Sequence, residues 1–427
     1  MKKFELTTEQ KINWFGRTLY RIKACISFTT TSGDEVKAGD LGGFVEKESN
    51  LSHDGKAWVC GDAEVYGNAK VCGDAEVYGD AEVYGDAEVY GDAKVCGNAK
   101  VYGNAKVCGD AKVCGDAEVY GDAEVWGNAE VCGNAKVYGD AKVCGDAEVY
   151  GDAEVWGNAK VCGDAEVCGN AEVYGDAKVW GNAEVWGNAE VYGDAKVWSN
   201  AKVCGDAEVW GNAKVCGDAK VCGDAKVCGD AEVYGDAEVY GNAKVYGDAK
   251  VCGDAEVYGN AKVCGDAEVY GNAKVCGDAK VCGDAKVCGD AEVYGNAKVY
   301  GNAKVCGDAS VFSTEHIFCV TPIGEYANSL TLFRTKHLEI KISFELDVYT
   351  VDQFLKVIDG WCDDKQKSVA IAAIELAYKH IDLTPTSDDL KPCPFCGGEA
   401  EYNADSDVVV CINCCASTDK KIWNKRV

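Results

Sequence analysis

The stretch Ala63-Glu64-Val65-Tyr66-Gly67-Asn68, followed without a gap by Ala69-Lys70-Val71-Cys72-Gly73-Asp74, decides how the chain folds. In each half, alternation along a short strand sends Ala and Val to one side and the charged residue and the aromatic or Cys to the other. Gly and Asn or Asp then form a corner, because Gly carries no Cβ penalty at positive φ and Asx side chains tolerate that conformation best among the rest. The hexad recurs from Cys60 to Val311, 252 residues or 42 units without insertion or deletion, with departures at Ser199 and Ser310. A period held this strictly marks a solenoid, whose units bury their apolar faces only by stacking on neighbours.

A two-residue corner bends the chain but leaves too little backbone to cross the ~10 Å between stacked sheets. Three hexads per coil therefore close more naturally than two. The tract then holds 14 coils of 18 residues, about 67 Å of axis at ~4.8 Å per coil. A 12-residue coil stays open as the alternative. Counted that way, one face has Cys at 14 of 21 positions and the other at 5 of 21, a bias that duplication by pairs of hexads would also leave. With 18-residue coils the aromatic residues number 6, 11 and 6 of 14 on the three faces. The richest face runs unbroken through Tyr66, Tyr84, Tyr102, Tyr120, Tyr138, Trp156, Tyr174, Tyr192 and Trp210. That column is the candidate binding strip for a macromolecular partner or a second copy, although stacked rings also serve simply to stabilise a regular sheet.

The pairs from Ala63 and Val65 to Ala309 and Val311 resemble the inward positions of the left-handed parallel β-helix of hexapeptide-repeat proteins. Handedness is what the resemblance implies, since parallel crossovers are otherwise right-handed. The expected fold class is all-β: about 14 three-sided coils, an N-terminal cap, a small α+β C-terminal cap and a zinc ribbon. Familiar left-handed β-helices are acyltransferases that use a His base and loops breaking the solenoid to form an acyl-CoA cleft. This tract has neither: the four histidines are His53, His316, His337 and His380, and no loop interrupts a hexad. The pattern therefore points away from an enzyme, and the lone histidines read as packing or solvated residues. Ice binding wants Thr-like arrays, which the outward Tyr, Cys, Trp, Glu and Lys do not provide.

The formal net charge is −28, which argues against a general nucleic-acid or anionic-membrane binder. The tract holds 26 Asp and 19 Glu against 22 Lys, an acidity that keeps a Tyr-rich surface soluble or imitates a duplex at lower charge density. Neither an apolar run of 18 residues nor a secretory signal is visible, so a cytoplasmic setting is expected, with the 27 cysteines as reduced thiols and metal ligands rather than a disulfide framework.

Solenoid ends expose strand edges and apolar interiors and need caps. Residues 1–59 read as the N-terminal cap, with a strand at Leu19–Ala24, the Gly-rich Val36–Val45, and entry into the first coil at Ala57-Trp58-Val59. Through Val36-Lys37-Ala38-Gly39, Gly42-Gly43 and Leu51-Ser52 this segment resembles YdcK-type and phage or prophage hexapeptide-repeat proteins, which implies capping and a mobile-element origin. After the repeats of 60–311, residues 312–381 read as an α+β cap. Its strands are expected at Ile317–Thr321, Leu330–Arg334 and Leu338–Phe344, followed by a helix opened by Thr350 with Gln353 as its capping box. A second helix, Lys365–Ile381, is expected to bury Val369, Ala372, Ala373, Leu376 and Ala377.

Residues 382–392 read as a linker and 393–427 as the ribbon. Cys393, Cys396, Cys411 and Cys414 form two C-x2-C pairs suited to tetrahedral Zn bound by four thiolates. A hairpin over Glu399–Val410 would bring the pairs together, and the metal would supply folding free energy that so small a module lacks. Four thiolates leave no open position for a catalytic water, so the zinc is structural. Leu390-Lys391-Pro392-Cys393-Pro394-Phe395-Cys396-Gly397-Gly398 and Trp423-Asn424-Lys425-Arg426 resemble the Lar-type restriction-alleviation family, which implies modulation of a host restriction system by protein contact. Cys415 departs from that pattern, standing where a Gly is expected, and either distorts the second knuckle or offers a substitute ligand. Lys420, Lys421, Lys425 and Arg426 make a small basic tip able to touch nucleic acid weakly. Together these features point to a structural or interaction protein with a protein partner, and to self-association as a further use of the strip.

Overall fold

The computed structural model describes residues 2–323, 328–345, 347–361, 363–384, 400–403, 408–411 and 417–419, the last three segments as backbone. They belong to two compact units, Met1–Gly265 and Asp266–Val427.

In the first unit every hexad forms one short parallel strand, and each strand pairs with the one 18 residues later: Val65 with Val83, Val71 with Val89, Val77 with Val95. The coil is three-sided, and the 12-residue alternative is excluded. Each side is tied to the next coil by bonds such as Glu64 N–H to Ala81 O (2.8 Å), Tyr66 N–H to Val83 O (3.0 Å) and Asn68 N–H to Gly85 O (2.7 Å). Inward Ala and Val side chains from Ala63 and Val65 onward are fully buried, an arrangement consistent with the left-handed parallel β-helix that the resemblance implies. The corner glycines sit at positive φ, Gly85 at 74°. A Cβ there would lie 3.0 Å from Gly103 N and 3.1 Å from Gly103 O, so the stacking distance as well as φ demands glycine. Ser199 replaces glycine at φ 63°.

The cap is partly solenoid itself. Phe44–Val45 pair in parallel with Glu64–Val65, Leu51 bridges Val71, and Trp58–Val59 pair with Glu76–Val77. Residues 41–59 thus make an irregular coil ahead of the regular ones. A hairpin, β1 (Phe4–Ile12) and β2 (Thr18–Ala24), then pairs antiparallel onto Leu41–Val45. Gly42 and Gly43 permit that junction, because a Cβ on Gly42 would lie 2.5 Å from Val59 O and one on Gly43 2.7 Å from Val59 Cγ1.

In the second unit the same register continues, Val269 with Val287 and Val287 with Val305, up to Val293 with Val311. Four antiparallel strands follow, Ile317–Ile323, Asn328–Arg334, Ile340–Phe344 and Asp347–Thr350. The last was not expected from sequence, and Leu338, expected in the third strand, lies in the preceding turn at φ 62°. Helix α1 (Val351–Asp359) starts at the predicted capping box, with Gln353 N–H to Thr350 Oγ1 at 3.2 Å and Thr350 N–H to Gln353 Oε1 at 2.9 Å. Helix α2 (Asp364–His380) buries Ala370, Ala373, Ile374 and Ala377 against Leu332, Ile342, Phe354 and Ile358. Its face is therefore shifted from the predicted one: Val369 and Leu376 are exposed, because Ala and Ile at i, i+3, i+4, i+7 fit closer to the sheet than the Val and Leu stripe.

Candidate functional site

The predicted strip is a continuous stack. Successive ring centroids from Tyr66 to Tyr138 lie 4.8–4.9 Å apart and nearly parallel, and Trp156, Tyr174, Tyr192 and Trp210 continue it at 4.4–5.9 Å. The coil rise sets this spacing, and each stacked pair contributes about 0.5–1.5 kcal/mol beyond burial. Ring faces are consumed by the stack, so the strip presents edges to solvent. Tyr66 is excluded from that surface: it is buried, and Phe15 from the hairpin tip lies 6.1 Å from it and 5.9 Å from Tyr84.

Several phenols are committed as well. Tyr66, Tyr102, Tyr138 and Tyr174 donate to Glu82, Glu118, Glu154 and Glu190 of the next coil at 2.8–3.0 Å. Burial, and the carboxylate where one is bonded, push these phenols up, Tyr84 to about 12 by burial first. Beside the strip, Glu154, Glu172, Glu190 and Glu208 stand on four successive coils. Lys136 pairs with Glu154 at 3.0 Å and Lys226 with Glu208 at 2.7 Å. Glu172 in the middle has no ion pair among the described residues, and burial together with Glu190 and Glu154 holds its carboxyl above the usual range.

The face running through Val71 carries the opposite charge, a feature that sequence reading missed. Lys142, Lys160, Lys178, Lys196 and Lys214 stack in register; the outer two pair with Glu124 at 3.2 Å and Glu232 at 2.7 Å. Among the described residues Lys160, Lys178 and Lys196 make no ion pair. They line a groove of about 950 Å³ that also receives Asp176 and Asp194 from the corners. Trp180 and Trp198 stack beside them at 5.3 Å. Reading the charged position of every third hexad would have found this row.

The cysteine expectation needs correction. Cys144–Cys162 and Cys288–Cys306 are disulfides, each joining residues 18 apart with Cα atoms 4.6 Å apart. That separation lies inside the bridging range. On the Val77 face, Cys96, Cys114 and Cys132 remain thiols in mutual contact, as do Cys204 and Cys222. Hydrogen bonds from Cys114 and Tyr78 favour the Cys96 thiolate and bring it down to about 6.

The four histidines all lie outside the repeats. His53 Nδ1 accepts from Lys3 N–H at 3.2 Å, its Nε2 lies 2.7 Å from Glu48 Oε1, and its ring stacks on Phe4 at 4.3 Å. Both nitrogens are thus committed. Cys72, in the same shallow pocket, has its thiol pushed up by burial and Glu88, the opposite of nucleophile activation. His316 is buried edge-on to Phe312 at 3.9 Å, His380 faces Thr314 O at 3.2 Å, and exposed His337 lies 3.8 Å from Asp308.

Of the ribbon ligands, Cys393, Cys396 and Cys414 lie outside the described residues. Cys411 ends a strand, Val408–Cys411, that pairs antiparallel with Ala400–Asn403 in the expected hairpin. No described helix is long and apolar enough to cross a membrane, which says nothing of a β-barrel.

No family model matches the chain, and no curated protein does. Among solved structures, one described as a "putative acetyltransferase from Desulfovibrio desulfuricans G20" is similar over 53% of this chain, at 12% identity and a TM-score of 0.23. The chain spans 65% of that structure's length. A likeness this distant carries no argument about activity.

Proposed function

We propose that the chain is a non-enzymatic binding scaffold whose Val65 face docks a basic segment of a macromolecular partner. The observation that carries this reading is the row Glu154, Glu172, Glu190 and Glu208 beside the aromatic edges from Tyr138 to Trp210. The carboxylates are held at one coil spacing, and the central one is left uncompensated. Arginine side chains suit such a surface, pairing with the carboxylates through the guanidinium while their apolar stems cover the ring edges. The net charge of −28 adds long-range steering toward basic partners.

The ribbon is a second module in this proposal, with Cys393, Cys396, Cys411 and Cys414 holding one structural Zn. The hairpin that ends at Cys411 supports it, since it returns the chain toward the first pair. The likeness of residues 390–398 and 423–426 to the Lar type, together with the acidity, supports counter-defence as the biological setting: restriction alleviation, or decoying of a DNA-binding protein by its basic surface. The test is calorimetric titration with an arginine-rich peptide. Glu172→Gln/Glu190→Gln is expected to weaken binding by about tenfold, while Glu148→Gln, on an acidic row without the strip, leaves it nearly unchanged. Equal losses would reduce the interaction to bulk acidity and overturn the reading.

A further inference from the structure

We infer that the stacked thiols of the Val77 face are binding sites for a soft, two-coordinate monovalent metal ion such as Cu(I) or Ag(I), one ion bridging cysteines of adjacent coils. Cys96, Cys114 and Cys132 occupy successive coils, fixed by pairing of Val95 with Val113 and Val113 with Val131 and by Cys96 N–H to Val113 O and Cys114 N–H to Val131 O, both 2.9 Å. Cys204 and Cys222 repeat the arrangement, with Val203 paired to Val221. The Cys114 thiol is in hydrogen-bond contact with both neighbours, so nothing stands between these sulfurs.

The coil rise decides the chemistry. Adjacent-coil cysteines have Cα atoms 4.6 Å apart where they are bridged, and stacked tyrosines repeat at 4.8 Å. Thiols in contact across adjacent coils therefore need open only to one coil spacing to admit an ion between them. That is close to twice a metal–thiolate bond of about 2.3 Å, so an ion placed midway is met by two sulfurs in a line. Thiolates select soft ions, and a linear site rejects ions that need four ligands. Among the described residues no group of three or more His, Cys, Asp or Glu side chains converges as a conventional metal site.

Binding M⁺ to two thiols releases two protons to solvent and leaves a bis-thiolate complex of charge −1, with no change in oxidation state. Lys94 and Lys112 lie beside the Cys96 and Cys114 sulfurs and offset that charge. Cys108 provides the contrast, since the residues one coil away on either side are Tyr90 and Trp126.

The test is titration of the intact, disulfide-containing protein with Ag(I), following the near-ultraviolet thiolate-to-metal absorption and the silver retained after desalting. Cys222→Ser is expected to lose one equivalent, Cys114→Ser at least one, and Cys108→Ser none. Thiols of the ribbon contribute equally to the wild type and every variant and cancel. Circular dichroism identifies any variant that fails to fold. Cys108→Ser losing as much silver as Cys222→Ser, or Cys114→Ser/Cys222→Ser retaining the full complement, would overturn the inference.

Discussion

Trp156 stands where its neighbours in the column are tyrosines that bond a carboxylate; among the described residues its buried Nε1 has no hydrogen-bond partner, and Glu172, the acceptor at that level, receives no side-chain donor. On either side Tyr138 reaches Glu154 and Tyr174 reaches Glu190, both at 3.0 Å. One substitution thus leaves two polar groups unsatisfied at the centre of the acidic row. Trp156→Tyr is expected to supply the missing donor and raise stability at pH 7 by about 1 kcal/mol. The sign follows from Glu172. A carboxyl whose folded-state pKa is raised favours the fold below its unfolded value, and that contribution is lost as pH rises through the folded value. The gain from Trp156→Tyr should therefore be full at pH 7 and shrink toward pH 4. Thermal melts at the two pH values check this; equal midpoints throughout would count against it.

Ser199 holds a left-handed conformation at a corner where the rest of the repeat uses glycine. Ser199→Gly should relieve about 1 kcal/mol of backbone strain and raise the melting temperature. The gain from removing the Cβ exceeds the entropic cost of glycine only because φ is positive there.

Lys178 lies between Lys160 and Lys196 and makes no ion pair among the described residues. Like charges directly opposite in a sheet are destabilising. Lys178→Glu should gain about 0.5–1 kcal/mol at low salt through two new cross-strand pairs, and the gain should fade as ionic strength rises. A gain that persists in molar salt would require another cause.

Cysteine reactivity should divide by column. Cys96, brought down to about 6 by its hydrogen bonds, is expected to be alkylated by iodoacetamide at pH 7 well before Cys60, whose thiol burial pushes up to about 11. Peptide mass spectrometry after a short pulse gives the order. Cys114→Ser, which replaces the thiol donor by a hydroxyl, separates the contact from simple exposure.

The period of six was legible because Ala and Val take the inward positions in every unit. The coil length was not, for the same reason: identical inward residues fit any multiple of six, and the outward Cys bias of alternate hexads favoured the wrong one. Corner geometry decided it correctly, since two residues cannot span two stacked sheets. The aromatic column was read in full, but burial of Tyr66 beneath the hairpin is a tertiary fact that the repeat does not encode. The Lys row follows from the same 18-residue period but was not read, and the disulfides were set aside in favour of reduced thiols. In the C-terminal cap the capping box at Thr350 and Gln353 was local and legible. The burial face of α2 depended on which small residues the sheet admits, and was not.

The register itself is the claim on which every surface column rests, and disulfide mapping tests it most directly. After mild oxidation and non-reducing proteolysis, mass spectrometry should find links 18 residues apart: Cys144–Cys162, Cys288–Cys306 and, newly formed, Cys204–Cys222. Links 12 residues apart, such as Cys96–Cys108 or Cys132–Cys144, would contradict the three-sided coil and the sites built on it.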